Sequence, residues 1–104
     1  MPKIKVDLGK NSYDINIGVD TLRNIGEVYD PKVFTEQVAI VTDPLVEELY
    51  GSKVRASLRD AGCQVHTIEV PRGEKYKSLK MAAAIYDKLV ALGFHRDSTI
   101  IALG

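Results

Sequence analysis

Two segments near the start of the chain alternate strictly between polar and apolar positions. In Lys3-Ile4-Lys5-Val6-Asp7-Leu8 and in Ser12-Tyr13-Asp14-Ile15-Asn16-Ile17 every second residue is a hydrophobe. A period of two places the hydrophobes on one side of an extended chain, the pattern of a half-buried strand. Gly9-Lys10-Asn11 between them is a turn signal, so residues 3–17 predict an antiparallel β-hairpin, solvated on one side. Further on the pattern changes. Val38-Ala39-Ile40-Val41 and Thr99-Ile100-Ile101-Ala102-Leu103 are continuous apolar runs, which suit parallel strands covered on both faces. Residues 64–70 alternate more weakly and carry Gln64, His66, Thr67 and Glu69, which predicts a strand near a sheet edge.

The helices are read from the 3/4 spacing. Asp20 suits the cap of a short helix over residues 21–29, with Leu22, Ile25 and Val28 on one stripe, followed by a loop over 30–36. Asp43 suits the next N-cap and Pro44 the first helical position. Leu45, Val46 and Leu49 form the expected apolar stripe there. Gly51 is expected to break that helix, and a second helix over 52–61 turns Val54 and Leu58 inward before ending at Gly62. Residues 78–92 give the strongest helix. Its predicted stripe is Leu79, Ala82, Tyr86, Leu89 and Gly93, widened by Ile85 and Leu92.

Strands alternating with helices after a hairpin predict an α/β fold: a Rossmann-like, mainly parallel sheet with helices on both faces, preceded by the N-terminal antiparallel β-hairpin. The length of 104 residues fits one domain. The chain stops at Gly104, directly after its most apolar strand and where a ligand loop of an α/β sheet would begin. The expectation is a piece of a longer protein.

Charge narrows the partners. Fourteen basic residues balance fourteen acidic ones, which argues against nucleic-acid binding through a polybasic surface. The lone cysteine, Cys63, cannot form an internal disulfide and is expected to be an inert, partly buried thiol in a reducing compartment. No Cys/His spacing calls for a metal, and no apolar run approaches the length of a membrane span or a secretory signal. A cytoplasmic protein that does not bind membranes is expected.

Ligands of open α/β sheets bind beyond the carboxyl ends of the strands. Asp43, the stretch PRGEKYKSL at 71–79 and Gly104 all fall at such ends. Asp43 suits hydrogen bonds from a ribose diol, and equally suits a plain helix cap. Gly73 permits a positive φ or close backbone approach. Glu74 suits a sugar hydroxyl. Lys77 lies near a helix N-terminus, where anions are favoured, with Arg72, Lys75 and Lys80 around it. The same stretch also reads as a solvated strand-to-helix turn capped by Ser78. His66 and His95 read as surface residues. The glycine fingerprints of the usual dinucleotide and P-loop sites are missing.

The segments LGKNSYDINIG (8–18), VAIVTDPLVEELYG (38–51), PRGEKYKSL (71–79) and IYDKLVALGFHRDSTIIALG (85–104) together resemble, in order and over nearly the whole chain, the N-terminal part of the 3-dehydroquinate synthase family. The resemblance implies NAD and a divalent metal, zinc or cobalt. It implies conversion of 3-deoxy-D-arabino-heptulosonate 7-phosphate to 3-dehydroquinate with release of phosphate, on the shikimate route to chorismate and the aromatic amino acids. It places cofactor contacts on Asp43 and on Arg72, Gly73, Glu74, Lys75, Tyr76 and Lys77. It also implies what lies outside residues 1–104: a glycine-rich loop on the pyrophosphate, and a C-terminal domain with the metal ligands, most substrate contacts and the catalytic groups. No residue of this chain is expected to be catalytic or to bind metal, and the segment alone is expected to be inactive. A homodimer, through the hairpin face or edge, is a further implication. A related sugar-phosphate cyclase, a metal-dependent polyol dehydrogenase and a stand-alone nucleotide-binding module stay open as alternatives.

Overall fold

A computed structural model describes residues 3–18, 21–28, 37–95 and 98–104, without the side chains of Asn16, Thr21, Glu27, Val28 and Glu74. The predicted cap at Asp20, the loop at 30–36 and the Val28 side chain lie outside the described residues. The expected architecture is present. Strands β1 (Lys3–Val6) and β2 (Tyr13–Asn16) form an antiparallel hairpin with Ile4 opposite Ile15 and Val6 opposite Tyr13. The turn between them uses Gly9 at φ 66°. The hairpin is more open than its pattern implies. Ile4 and Ile15, on its apolar face, are 51% and 43% exposed.

Among the described residues the second sheet has three strands: β3 (Gln37–Thr42) in the centre, β4 (Gln64–Glu69) on one side and β5 (Thr99–Ala102) on the other. Both pairings are parallel. The chain moves from β3 outward to β4, then back past β3 to β5. Right-handed crossovers in opposite directions place their helices on opposite faces. The first crossover carries α3 (Ser52–Asp60) and the second α4 (Leu79–Ala91). Residues Val38 and Ile40 of β3 pack against Val54 and Leu58 of α3, all four fully buried. Burial of such side chains stabilises by about 1.5–3 kcal/mol each. Leu22 and Ile25 flank this core from a 3-10 turn (Thr21–Asn24) and α1 (Ile25–Val28).

Three expectations need correction. Gly51 does not break the helix that begins at Pro44. A short α2 (Pro44–Val46) runs through a π-helical turn, Glu47–Gly51, directly into α3. The wider turn changes the phase of the helix. Val46 reaches the core, while Leu45 and Leu49 of the predicted stripe face solvent. The inward stripe of α4 is also different: Met81, Ile85 and Leu89 are half-buried, whereas Leu79 is 90% exposed. Finally, β5 is covered on one face only. Leu103, just past it, is buried, but Ile100 is 55% exposed. With β5 at an edge of the described sheet, its outer face lacks the cover that its composition suggests.

Helix α1 lies close against α3. The Gly26 amide donates to Ser57 Oγ at 2.8 Å. A Cβ at Gly26 would collide with the Ser57 carbonyl oxygen and press on Ala61 Cβ at 3.1 Å. Backbone cannot move aside as a flexible side chain can. Gly26→Ala is therefore expected to destabilise the fold by about 1–3 kcal/mol, the range for overpacking. Urea denaturation is the measurement, and Gly62→Ala is a poor control because Gly62 holds a positive φ of 94°.

Candidate functional site

The carboxyl ends of the three parallel strands open into one cleft of about 600 Å³. Two backbone hydrogen bonds carry the sheet to its edge: Val70 N–H to Thr42 O at 2.8 Å and Leu103 N–H to Val41 O at 3.0 Å. Residues 43, 71–73 and 104 thus meet around the cleft, as the strand-end argument predicts.

Asp43 sits where β3 gives way to the helix. Its backbone is extended (φ −98°, ψ 165°), and Oδ1 accepts the Val46 N–H at 2.9 Å. It is a helix cap as well as a cleft residue. Arg72 approaches the same oxygen from the β4 side, with Nε 3.9 Å from Oδ1. That pair straddles the cleft mouth. Arg72 is 62% exposed and Asp43 22%, so solvent screens the attraction and Arg72 can turn to another anion.

Gly73 takes φ 110°, a conformation that side chains resist. The chain then closes a 3-10 turn, Glu74–Tyr76, with the Tyr76 N–H donating to Gly73 O at 3.2 Å. This reversal returns Tyr76 and Lys77 to the cleft wall. Ser78 also lines it and caps α4, accepting the Met81 N–H at 3.2 Å. Lys75 is oriented differently. Its Nζ lies 5.0 Å from the centre of the Tyr76 ring, a cation–π contact, and it does not line the cleft. Glu74 opens the turn, and its side chain lies outside the description.

Sequence reasoning missed the apolar part of the wall. Val41 and Val70 at the strand ends, Met81 and Ile85 on α4, and Leu103 form a greasy back to the polar rim. The signal was present: Met81 and Ile85 are four residues apart in the first half of the helix that follows the polar stretch. His66 meets Phe94 edge-on at 5.5 Å, and neither His66 nor His95 lines the cleft. No cluster of three or more His, Cys, Asp or Glu able to hold a metal occurs among the described residues. No helix among them is long and apolar enough to cross a membrane. A cleft with apolar walls, one carboxylate acceptor and cations beside a helix N-terminus suits a ligand with flat rings, hydroxyls and an anionic group.

These features define an α/β domain whose parallel sheet opens a cleft at the carboxyl ends of its strands. No protein-family model matches the chain. Among solved structures, crystalline 2-deoxy-scyllo-inosose synthase superposes with a TM-score of 0.81 at 18% identity, over 95% of this chain and 28% of that one. A second crystal structure of a 2-deoxy-scyllo-inosose synthase, complexed with carbaglucose-6-phosphate, NAD+ and Co2+, gives 0.80 at 18% identity, over 95% of this chain and 26% of that one. Those likenesses establish the fold. In sequence the chain is similar to 3-dehydroquinate synthases: 41% identical over all 104 residues to that of Pelobacter propionicus and 42% to that of Geotalea uraniireducens. The enzyme of a Picosynechococcus species is 41% identical over 100 residues. The resemblance read from the motifs is thereby borne out. The chain spans 29% of the length of the first two relatives.

Cys63 sits at the edge of the core beside Val65 and Leu58. Burial raises its thiol pKa above the ordinary value. A raised pKa means less thiolate near neutral pH, and the thiolate is the reactive form. Alkylation by iodoacetamide at pH 7.5 is therefore expected to be slower than for a free thiol such as glutathione. Mass spectrometry showing equal or faster labelling would contradict this.

Proposed function

We propose that residues 1–104 form the NAD-side wall of a 3-dehydroquinate synthase. The observation that carries the reading is the cleft. Its position and its polar rim fall largely on residues that the motif resemblance assigns to the cofactor. NAD presents flat rings to the apolar wall formed by Val41, Val70, Met81, Ile85 and Leu103. Asp43 uses Oδ1 for its cap and for Arg72, which leaves Oδ2 to accept from a ribose hydroxyl. Lys77 on the wall and Arg72 at the mouth face the anionic part of the cofactor. Gly73 lets the backbone come close, Glu74 takes a sugar hydroxyl, and Tyr76 lends a ring edge. Lys75 contributes indirectly by packing on Tyr76. Bound there, NAD supplies reversible acceptance of a hydride from a substrate hydroxyl.

In this reading the chain orients the cofactor and performs no proton transfer. The divalent metal, zinc or cobalt, takes its ligands from a C-terminal domain outside this segment, together with the groups that hold the sugar phosphate. The glycine-rich loop on the pyrophosphate follows Gly104. The protein works in the cytoplasm on 3-deoxy-D-arabino-heptulosonate 7-phosphate, and the segment alone is inactive. A homodimer through the hairpin would cover Ile4 and Ile15, which this chain leaves exposed. The inosose synthase likeness favours a related sugar-phosphate cyclase as the second reading. The identity of about 40% to dehydroquinate synthases against 18% to the inosose synthases supports the first.

Calorimetric titration of the full-length polypeptide with NAD tests the site. Glu74→Ala and Lys77→Ala are each expected to weaken binding about ten-fold or more, the loss of a charge-assisted contact worth about 1.5–3 kcal/mol. Melting temperatures should stay near that of the parent. Unchanged affinity in both variants would overturn the assignment.

A further inference from the structure

Beneath Asp43 lies a polar cluster that none of the cleft contacts uses. Glu47 starts the π-helical turn, and its own N–H donates to the Asp43 carbonyl at 2.9 Å. Its carboxylate Oε1 pairs with Arg55 Nη1, eight residues further along the helix. The same Nη1 reaches Thr67 Oγ1 on β4 at 3.4 Å. Both charged side chains are largely buried, 23% exposed for Arg55 and 16% for Glu47. Glu47 Oε2 is buried and without a partner, as is the hydroxyl of Thr42, the residue directly before Asp43.

Eight residues of regular α-helix rotate about 80° past two full turns, so Glu47 and Arg55 would not share a face. The π-turn changes that phase. Gly51 completes the arrangement: a Cβ there would collide with the Glu47 carboxylate. A buried ion pair is weak grounds for stability, because desolvation offsets the attraction. A buried pair that ties a helix start to a neighbouring strand is better explained by what it holds in place. π-turns are often found beside functional sites.

We propose that Glu47 is a positioning residue for the cleft: clamped by Arg55 and seated against Gly51, it fixes the helix start that carries Asp43. It acts through Asp43 and does not touch the ligand. The chain of contacts runs from β4 through Thr67, Arg55 and Glu47 to the Asp43 backbone. It therefore ties the β3 side of the cleft to the β4 side that bears Arg72. This inference rests on the NAD reading of the cleft for its function, but not for its geometry.

The test uses the full-length polypeptide with Glu47→Gln, Gly51→Ala, Asp43→Asn and the Glu47→Gln/Asp43→Asn pair. Glu47→Gln keeps the shape and removes the charge. Gly51→Ala keeps the charge and displaces the carboxylate, and so serves if the first variant folds poorly. Each is expected to weaken NAD binding about five- to ten-fold, and the double variant to bind no worse than about two-fold below its weaker parent, as for residues acting in one chain. Additive losses, or unchanged affinity in both Glu47→Gln and Gly51→Ala, would overturn the proposal. Amide hydrogen exchange gives a readout independent of NAD. The Val46 N–H, which Asp43 holds, should lose protection in Glu47→Gln and Gly51→Ala while Ile40 in β3 keeps its own. Undiminished Val46 protection overturns the positioning role. Failure of the parent protein to bind NAD overturns the cofactor reading and leaves the exchange result to decide the role of Glu47.

Discussion

The parallel pairing of β3 with a strand on each side is the constraint from which the rest of this structure follows. It makes β3 the central strand, whose Val38, Ala39 and Ile40 are completely buried once helices cover the sheet. It also makes three strands point the same way, so that three loops leave the sheet at one edge. A polar group at one loop alone would be a solvated turn. Gathered at one edge over an apolar floor, Asp43, Arg72 and Lys77 become the rim of a cleft. The antiparallel hairpin takes no part in that convergence.

The central architecture was legible because its signals are local. A continuous apolar run marks β3, the Asp-Pro pair marks the helix start after it, and Gly62 ends the helix at a positive φ of 94°. Val54 and Leu58 were correctly turned inward, since four-residue spacing on a regular helix fixes their shared face. The cleft's polar members were legible for the same reason, as they follow strand ends. What failed was phase. The stripe Leu45, Val46 and Leu49 presumes a regular helix, but Leu49 lies within the π-turn and is exposed, as is Leu45 just before it. No pattern in Glu47-Glu48-Leu49-Tyr50-Gly51 announces that turn, whose altered phase brings Glu47 to a partner distant in sequence, Arg55. The α4 stripe failed differently. Leu79 and Tyr86 are apolar enough to read as core, yet composition cannot say which flank of a helix a small sheet will cover. A sheet of three strands covers only the flank with Met81, Ile85 and Leu89.

Glycines show the same division between local and distant causes. Gly73 is explained by its own backbone, since φ 110° suits no other residue as well. Gly26 and Gly51 have ordinary helical backbones and are explained only by what lies against them, the Ser57 carbonyl in one case and the Glu47 carboxylate in the other. The sequence pattern suggests a helix break at Gly51 and none at Gly26. In the structure both are points of close packing, and the helix passes through Gly51 with the Glu47 carboxylate in the space a methyl would take.

The balance of charge also acquires a meaning from the fold. Fourteen cations and fourteen anions leave residues 1–104 without a net charge of their own to draw an anionic ligand from a distance. What attraction this segment contributes comes from placement. Arg72 lies near Asp43 at 3.9 Å, where the proposed ligand, with both hydroxyls and an anionic group, would offer each of them a better partner. A carboxylate that accepts from a hydroxyl and a guanidinium that turns to an anion exchange one screened pair for two shorter, charge-assisted contacts. In the proposed reading, the exposed pair at the mouth is the resting arrangement of the site, and its weakness favours the exchange. The buried pair below it, Glu47 with Arg55, is under the opposite requirement, because a support that exchanged partners with the ligand would no longer hold Asp43 in place.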